Sequence, residues 1–271
     1  MKTTILTIAT CQLDVRGDVH ANLAQIISQI KTAKSRHADV AHFPECCLTG
    51  YGGIHLQSIR KEDYNHLLPA VEKIKQLAAK LGIYVILGAH HFKEGLSKPR
   101  NSLYAINSEG RIEARYDKRI LAGTDGTLDH LYYSAGEKPV TFQLNGIKCG
   151  LVICHEWRYA EFYREYKGLG AEVIFHSWFD GEFDEGTYKA EGKAEGELVL
   201  GAIKGYAANN YLWVSGSNVS TKQSCFSSFI ARPDGKILND APRNKPYVLI
   251  SQIDLNQRFI DPSFYGRQRF L

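Results

Sequence analysis

The chain is 271 residues long, 44% hydrophobic and 23% charged, proportions of an ordinary folded protein that exclude disorder, collagen and a continuous coiled coil. Its 33 basic and 29 acidic residues leave a net charge of +4 with no block of like charges, so nothing points to nucleic acid. No apolar run approaches 18 residues, which excludes a spanning helix and gives no reason to expect a membrane partner.

Residues 4–12 read as a first strand. The apolar stretch at its heart is broken by Thr7 and Thr10 and preceded by one lysine, a poor export signal. Leu23, Ile26, Ile27, Ile30 and Ala33 repeat at helical spacing, predicting an amphipathic helix over 22–36. A strand at 39–43 follows, then a helix marked by Leu67, Val71, Ile74 and Leu81 and closed by Gly82, then a strand at 83–89. That alternation is the pattern of parallel crossover units. The middle turns strand-rich, at 102–107, 111–116, 140–144 and 147–154, with Asn145-Gly146 as a hairpin turn between the last two. A helix at 159–169, a strand at 172–177 and a helix at 195–208 come next, then strands near 211–218, 225–232 and 247–253, with a turn at 232–235. The glycine- and acid-rich segment 180–197 reads as a solvated loop, or as a mobile segment over a site. No repeat or Pro-rich linker marks a boundary, so one domain over 1–271 is expected.

Six cysteines, at 11, 46, 47, 149, 154 and 225, form no C-x-x-C pair and no zinc-finger spacing. With no export signal they read as reduced thiols in a cytoplasmic setting, most of them small buried hydrophobes.

Three positions at predicted strand ends carry chemistry. Glu45 follows the second strand behind a proline, Lys118 stands just past the strand at 111–116, and Cys154 closes an apolar strand where the chain must turn into a helix. The carboxyl ends of strands are where α/β sheets bind ligands. Taken singly, each has a plain reading: a core cysteine, a solvated glutamate, a solvated lysine.

Together they are recognisable. F-P-E-C-C-L-T-G-Y at 43–51, Y-D-K-R-I-L at 116–121 and G-L-V-I-C-H-E-W-R-Y-A-E at 150–161 resemble, in order, the three catalytic blocks of the nitrilase-like carbon–nitrogen hydrolase superfamily. G-A-E-V-I at 170–174, S-F-I-A-R-P-D-G at 228–235 and Q-I-D-L at 252–255 extend the resemblance over nearly the whole chain. It implies an α/β (α+β) fold, a four-layer α-β-β-α sandwich, and a homo-oligomer, commonly a dimer packed through helical layers. It implies Glu45 as general base, Lys118 as electrophilic lysine and Cys154 as nucleophile, acting on a small amide, nitrile or N-carbamoyl compound with no metal or cofactor. Tyr51, Asp129, His155 and Trp178 are the candidates for substrate contact, with His176 also near the pocket and Tyr51 and Trp157 equally readable as core. His90-His91 has no acid or cysteine at ligand spacing and reads as packing or surface.

Two departures stand out. The family commonly has a second glutamate between the lysine and cysteine blocks; here only Asp125 and Asp129 stand between Lys118 and Glu137. Asp129 reads either as its shorter replacement or as a solvated turn residue. Y-A-A-N-N at 206–210 stands where the family usually shows R-A-x-E-N. The rival functional readings are a non-catalytic binding or regulatory protein that keeps the fold, and a thiol redox protein. The second lacks a resolving cysteine, since Cys149 lies an odd number of residues from Cys154 along one strand and faces the other way.

Overall fold

A computed structural model describes residues 4–60, 62, 64–181 and 183–271. Its first sheet contains β1 (Ile5–Gln12), β2 (Val40–His42), β3 (Tyr84–His91), β4 (Arg100–Ile106), β5 (Ile112–Asp117) and β12 (Tyr247–Asp254), in the order β12-β1-β2-β3-β4-β5. The second contains β6 (Thr141–Leu144), β7 (Ile147–Ile153), β8 (Val173–Ser177), β9 (Trp213–Ser217), β10 (Phe229–Ala231) and β11 (Ile237–Asp240), in the order β11-β10-β9-β8-β7-β6. Each sheet is mixed: β1, β2 and β3 run parallel, as do β7, β8 and β9, and the flanking strands pair antiparallel.

Three apolar layers make the sandwich. Leu6, Ile8, Val40, Ile86 and Tyr116 of the first sheet meet Leu151, Ile153, Phe175 and Ile230 of the second. On the outer face of the first sheet, α1 (Val19–Ser35) and α2 (Tyr64–Leu81) bury Leu23, Ile26, Ile30, Leu67, Val71 and Ile74. α4 (Ala160–Gly168) and α5 (Glu185–Asn210) cover the second with Phe162, Tyr163, Val199 and Ile203. Burial at helical spacing on one face is what holds these amphipathic segments helical. Two short helices, α3 (Asp129–Tyr132) and α6 (Phe264–Arg267), and a 3-10 turn at Cys154–Arg158 lie between or after these elements. No helix among the described residues is long and apolar enough to cross a membrane.

A polar seam crosses the apolar mid-layer directly beneath the strand ends. The Ser177 hydroxyl donates to the Phe43 carbonyl at 2.8 Å, and the Ser217 hydroxyl to the Cys11 carbonyl at 2.6 Å. His42 spans Ser177 and Ser215 at 2.9 Å each, and Ser215 meets Thr10 at 2.9 Å. Burial drives the His42 imidazole down to about 3, so it stays neutral and can donate at one nitrogen while accepting at the other. Satisfied in this way, the seam fixes how the two sheets register against each other.

The helix expected at 195–208 starts ten residues earlier, and residues 185–197 are helix rather than loop. Glu182, within the segment read as loop, lies outside the described residues. Glycine weakens a helix on its own, but this one is anchored. Asp184 caps it by accepting from the Gly186 and Thr187 N–H groups, and Glu185–Lys189 and Lys193–Glu197 pair one turn apart. At Gly196 a Cβ would meet the Cys225 carbonyl oxygen at 2.4 Å, so glycine is what lets the helix approach the 225 segment. β11 is a second difference: the turn at 232–235 is a hairpin joining β10 to a strand the pattern did not mark, half exposed and short.

Candidate active site

Glu45 sits three residues past the end of β2, in a tight turn pinned by Phe43 N–H to the Ile86 carbonyl and Leu48 N–H to the Gly88 carbonyl. The turn lies flat on β3: a Cβ at Gly88 would fall 2.3 Å from the Pro44 carbonyl oxygen. The Glu45 side chain is wholly buried. Its Oε1 accepts from Asn101 Nδ2 at 2.7 Å and Lys118 Nζ at 2.9 Å, and its Oε2 accepts from the Phe179 N–H at 3.0 Å.

Lys118 leaves β5 with both backbone groups tied, its N–H donating to the Asn101 carbonyl and its carbonyl accepting from the Gly136 N–H. That second bond folds the 129–136 segment back over the strand end and brings in Asp129, the first residue of α3. Lys118 Nζ donates to Asp129 Oδ2 at 2.7 Å as well as to Glu45. Asp129 also accepts from the Tyr51 hydroxyl at 2.5 Å and the Ala122 N–H at 3.0 Å. All three charged side chains are buried, so Asp129 is no solvated turn residue.

One ammonium thus lies between two carboxylates, and their environments drive them apart. Burial raises the Glu45 carboxyl above the ordinary range, with Asp129 adding to the rise and Lys118 opposing it. For Asp129 burial is likewise the largest influence, but the Lys118 charge and the Lys118, Tyr51 and Ala122 donors outweigh it and hold the carboxyl low. Lys118 is disfavoured by burial yet held charged by Asp129 and Glu45, well above the usual lysine range. Asp129 is the fixed counter-charge, and Glu45 is the carboxylate able to exchange a proton.

Cys154 directly follows β7 and opens a 3-10 turn, Cys154–Arg158. Its φ is +41°, a left-handed conformation that is strained for a non-glycine residue and marks a sharp strand-to-helix turn. Two groups hold that turn. The His176 ring donates to the Cys154 carbonyl at 3.2 Å while accepting from the Tyr163 hydroxyl at 2.6 Å, and burial keeps the ring neutral. Glu156, wholly buried, accepts from the Ile153 N–H at 2.8 Å, the Tyr116 hydroxyl at 2.7 Å and the Arg119 N–H at 2.7 Å. It therefore ties the cysteine turn to the segment leaving Lys118. Neither Glu156 nor Asn101 was singled out by the sequence reading. The only signal was an acid two residues past Cys154, and an asparagine on β4 becomes a partner of Glu45 only through strand pairing.

Cys154 is partly exposed and lines a cavity of about 70 Å3 with Tyr51, His155, Trp157, Trp178 and Phe179. Of the four candidates for substrate contact, Tyr51, His155 and Trp178 line this cavity and Asp129 does not, and Tyr51 and Trp157 are both buried as well as cavity-lining. His176 does not line the cavity; it stacks behind Trp178 at 3.4 Å between ring centres. The indole N–H of Trp178 is buried with no acceptor among the described residues. At the cavity wall Arg158 pairs with Glu195 of α5 at 3.1 Å. No disulfide joins any of the six cysteines. His90 is buried against the Tyr133 hydroxyl at 3.1 Å, a packing role.

Comparison with known proteins meets this geometry. Over 172 residues the chain is 32% identical to 2-oxoglutaramate amidase of Bacillus subtilis, a match covering 63% of this chain and 64% of that relative, just under two thirds of its length. An amidase from Nesterenkonia sp. superposes with a TM-score of 0.77 at 19% identity, over 98% of this chain and 96% of that one. Another structure of that amidase shows the acetamide moiety of fluoroacetamide added covalently at its active-site cysteine. The chain spans 46% of the glutamine-dependent NAD+ synthetase chain of Acinetobacter baumannii, with a TM-score of 0.75 and 20% identity over 92% of this chain. The carbon-nitrogen hydrolase family model matches residues 7–258, and the chain belongs to that family.

Proposed function

We propose that the protein hydrolyses the carbon–nitrogen bond of a small linear amide through a thioester on Cys154. The observation that carries this reading is the buried Lys118 ammonium, held between Glu45 and Asp129 and close enough to the partly exposed Cys154 thiol just past β7 for their charges to interact.

A free thiol is only a few per cent thiolate at neutral pH and needs a base. Glu45 takes the Cys154 proton as sulfur attacks the carbonyl carbon. The carbonyl oxygen becomes an oxyanion, met by the Lys118 ammonium and by the backbone N–H of His155, which in the first turn of a helix has no intrahelical acceptor. Glu45 returns its proton to nitrogen as the C–N bond breaks and ammonia leaves. It then takes a proton from water as hydroxide attacks the thioester, and the Cys154 sulfur leaves and is reprotonated. Lys118 stays charged throughout, because Asp129 neutralises it whichever state Glu45 is in.

The cavity supports a small substrate, being well under the roughly 300–1,000 Å3 of pockets for drug-sized ligands. Its wall offers both Arg158 and Glu195, so a charged tail of either sign would find a partner by displacing the other. Family membership supports a homo-oligomer, testable by light scattering, and the reduced cysteines support a cytoplasmic setting. Ammonia release should be measured across linear amides, nitriles and N-carbamoyl compounds. A short aliphatic amide should turn over and Cys154→Ala should abolish that turnover; release by the variant at the wild-type rate would end the proposal.

A further inference from the structure

On the side of β4 and β5 away from Glu45, a second cavity of about 130 Å3 is walled by Lys93, Arg100, Arg115 and Lys138, with Asp117 and Glu137 as the acidic residues lining it. Arg100 is the unusual member. Its side chain is only 7% exposed, and among the described residues its charge is met by a single long contact, 3.4 Å, to Glu137, a side chain 75% exposed. Its Nε is buried with no hydrogen-bond partner among the described residues. A buried charged donor left unsatisfied is costly, and nothing in the catalytic reading uses it.

The neighbours do not relieve it. Arg115 is already committed, donating to Asp117 through Nε at 2.9 Å and through its second terminal nitrogen at 3.3 Å. Its remaining nitrogen lies 2.6 Å from His91 Nε2. A guanidinium can only donate, so His91 accepts there, and its other nitrogen meets the Tyr104 hydroxyl at 2.9 Å. Burial and the charges of Arg115, Arg100 and Lys93 all keep the His91 ring neutral. The pocket is positive, and its cations exceed its anions by two.

We propose that this cavity binds a tetrahedral oxyanion, either inorganic phosphate or the phosphate group of a small monoester. A phosphate dianion matches the excess of two cations, and its oxygens accept from several directions at once, as a guanidinium edge and two flexible ammonium groups require. The volume suits one such group and is too small for a nucleotide. Arg100 adjoins Asn101 and Asp117 adjoins Lys118, and successive residues on a strand face opposite sides. The oxyanion therefore sits back to back with the Glu45–Lys118 pair.

The test is calorimetric titration of the full chain with inorganic phosphate, and separately with glycerol 3-phosphate, at ionic strength held constant against chloride and acetate. Binding is read without turnover, so the result is independent of the catalytic reading. Saturable binding of one phosphate group per chain is expected; the tighter of the two ligands identifies the source. Removing a charged donor should weaken it about ten-fold or more in Lys138→Ala and in Arg100→Gln. Lys138 and Lys93 are exposed, so if Arg100→Gln fails to fold, Lys93→Ala with Lys138→Ala serves as the second variant. No saturable heat, equal binding of acetate, or unchanged affinity in the lysine variants overturns the proposal.

Discussion

Lys118 keeps its charge in the interior because Glu45 and Asp129 both meet it there, and removing either partner changes more than a contact. Asp129→Asn deletes a counter-charge while leaving an amide that can still reach Tyr51. Lys118 would then lean on Glu45 alone and be drawn out of position, and kcat is expected to fall about 100-fold. The pH profile separates this from a merely structural role. In the proposed reaction Glu45 must be ionised to accept the thiol proton, so activity should fall as pH drops through its raised value. Asp129 is among the causes of that rise, so the acid limb should move to lower pH in the variant. An unmoved limb would remove Asp129 from the mechanism. The stability sign runs the other way for the two acids. Asp129, held low, stabilises the fold above its unfolded value and ceases to as pH falls through the folded one; Glu45, held high, costs stability as pH rises from the ordinary range to its raised value. At Lys118 itself, arginine keeps the charge but replaces a compact ammonium with a planar fork. Lys118→Arg should lose about 100-fold or more in kcat/KM, measured beside a wild-type-like circular dichroism spectrum.

At the scale of elements, the site is an assembly of chain segments leaving β2, β5, β7 and β8, and Glu156 is the tie between two of them. Glu156→Gln exchanges one acceptor oxygen for a donor facing N–H or O–H groups already pointing inward. Leaving such a buried donor unmade costs about 1–3 kcal/mol, so urea unfolding should show that loss. Because Glu156 touches the Cys154 turn, kcat should fall together with it. The legibility of each element follows from how local its signal is. Glu45, Lys118 and Cys154 stood out because each sits in a contiguous block beside a strand end. Asn101 and Glu156 did not, because what they bond to is decided by tertiary approach. The first half of α5 hid behind its glycines, of which Gly196 serves the close approach to the 225 segment, and β11 hid because half its residues face outward.

Across the whole molecule, the four layers were readable from alternation and from the resemblance, since crossover units followed by hairpins leave few alternatives. What no linear pattern carries is the depth of the site. The seam of Thr10, His42, Ser177, Ser215 and Ser217 clamps the two sheets just below the strand ends, one sheet carrying the turn with Glu45 and the other the turn with Cys154. In the proposed reaction the acyl group passes through Cys154. Acid quenching during turnover of the best amide from the panel, followed by peptide mapping, tests it most directly. The acyl mass is expected on the peptide containing Cys154, released by hydroxylamine and absent from Cys154→Ala. An acyl adduct on any other residue, or continued ammonia release by Cys154→Ala, would contradict it.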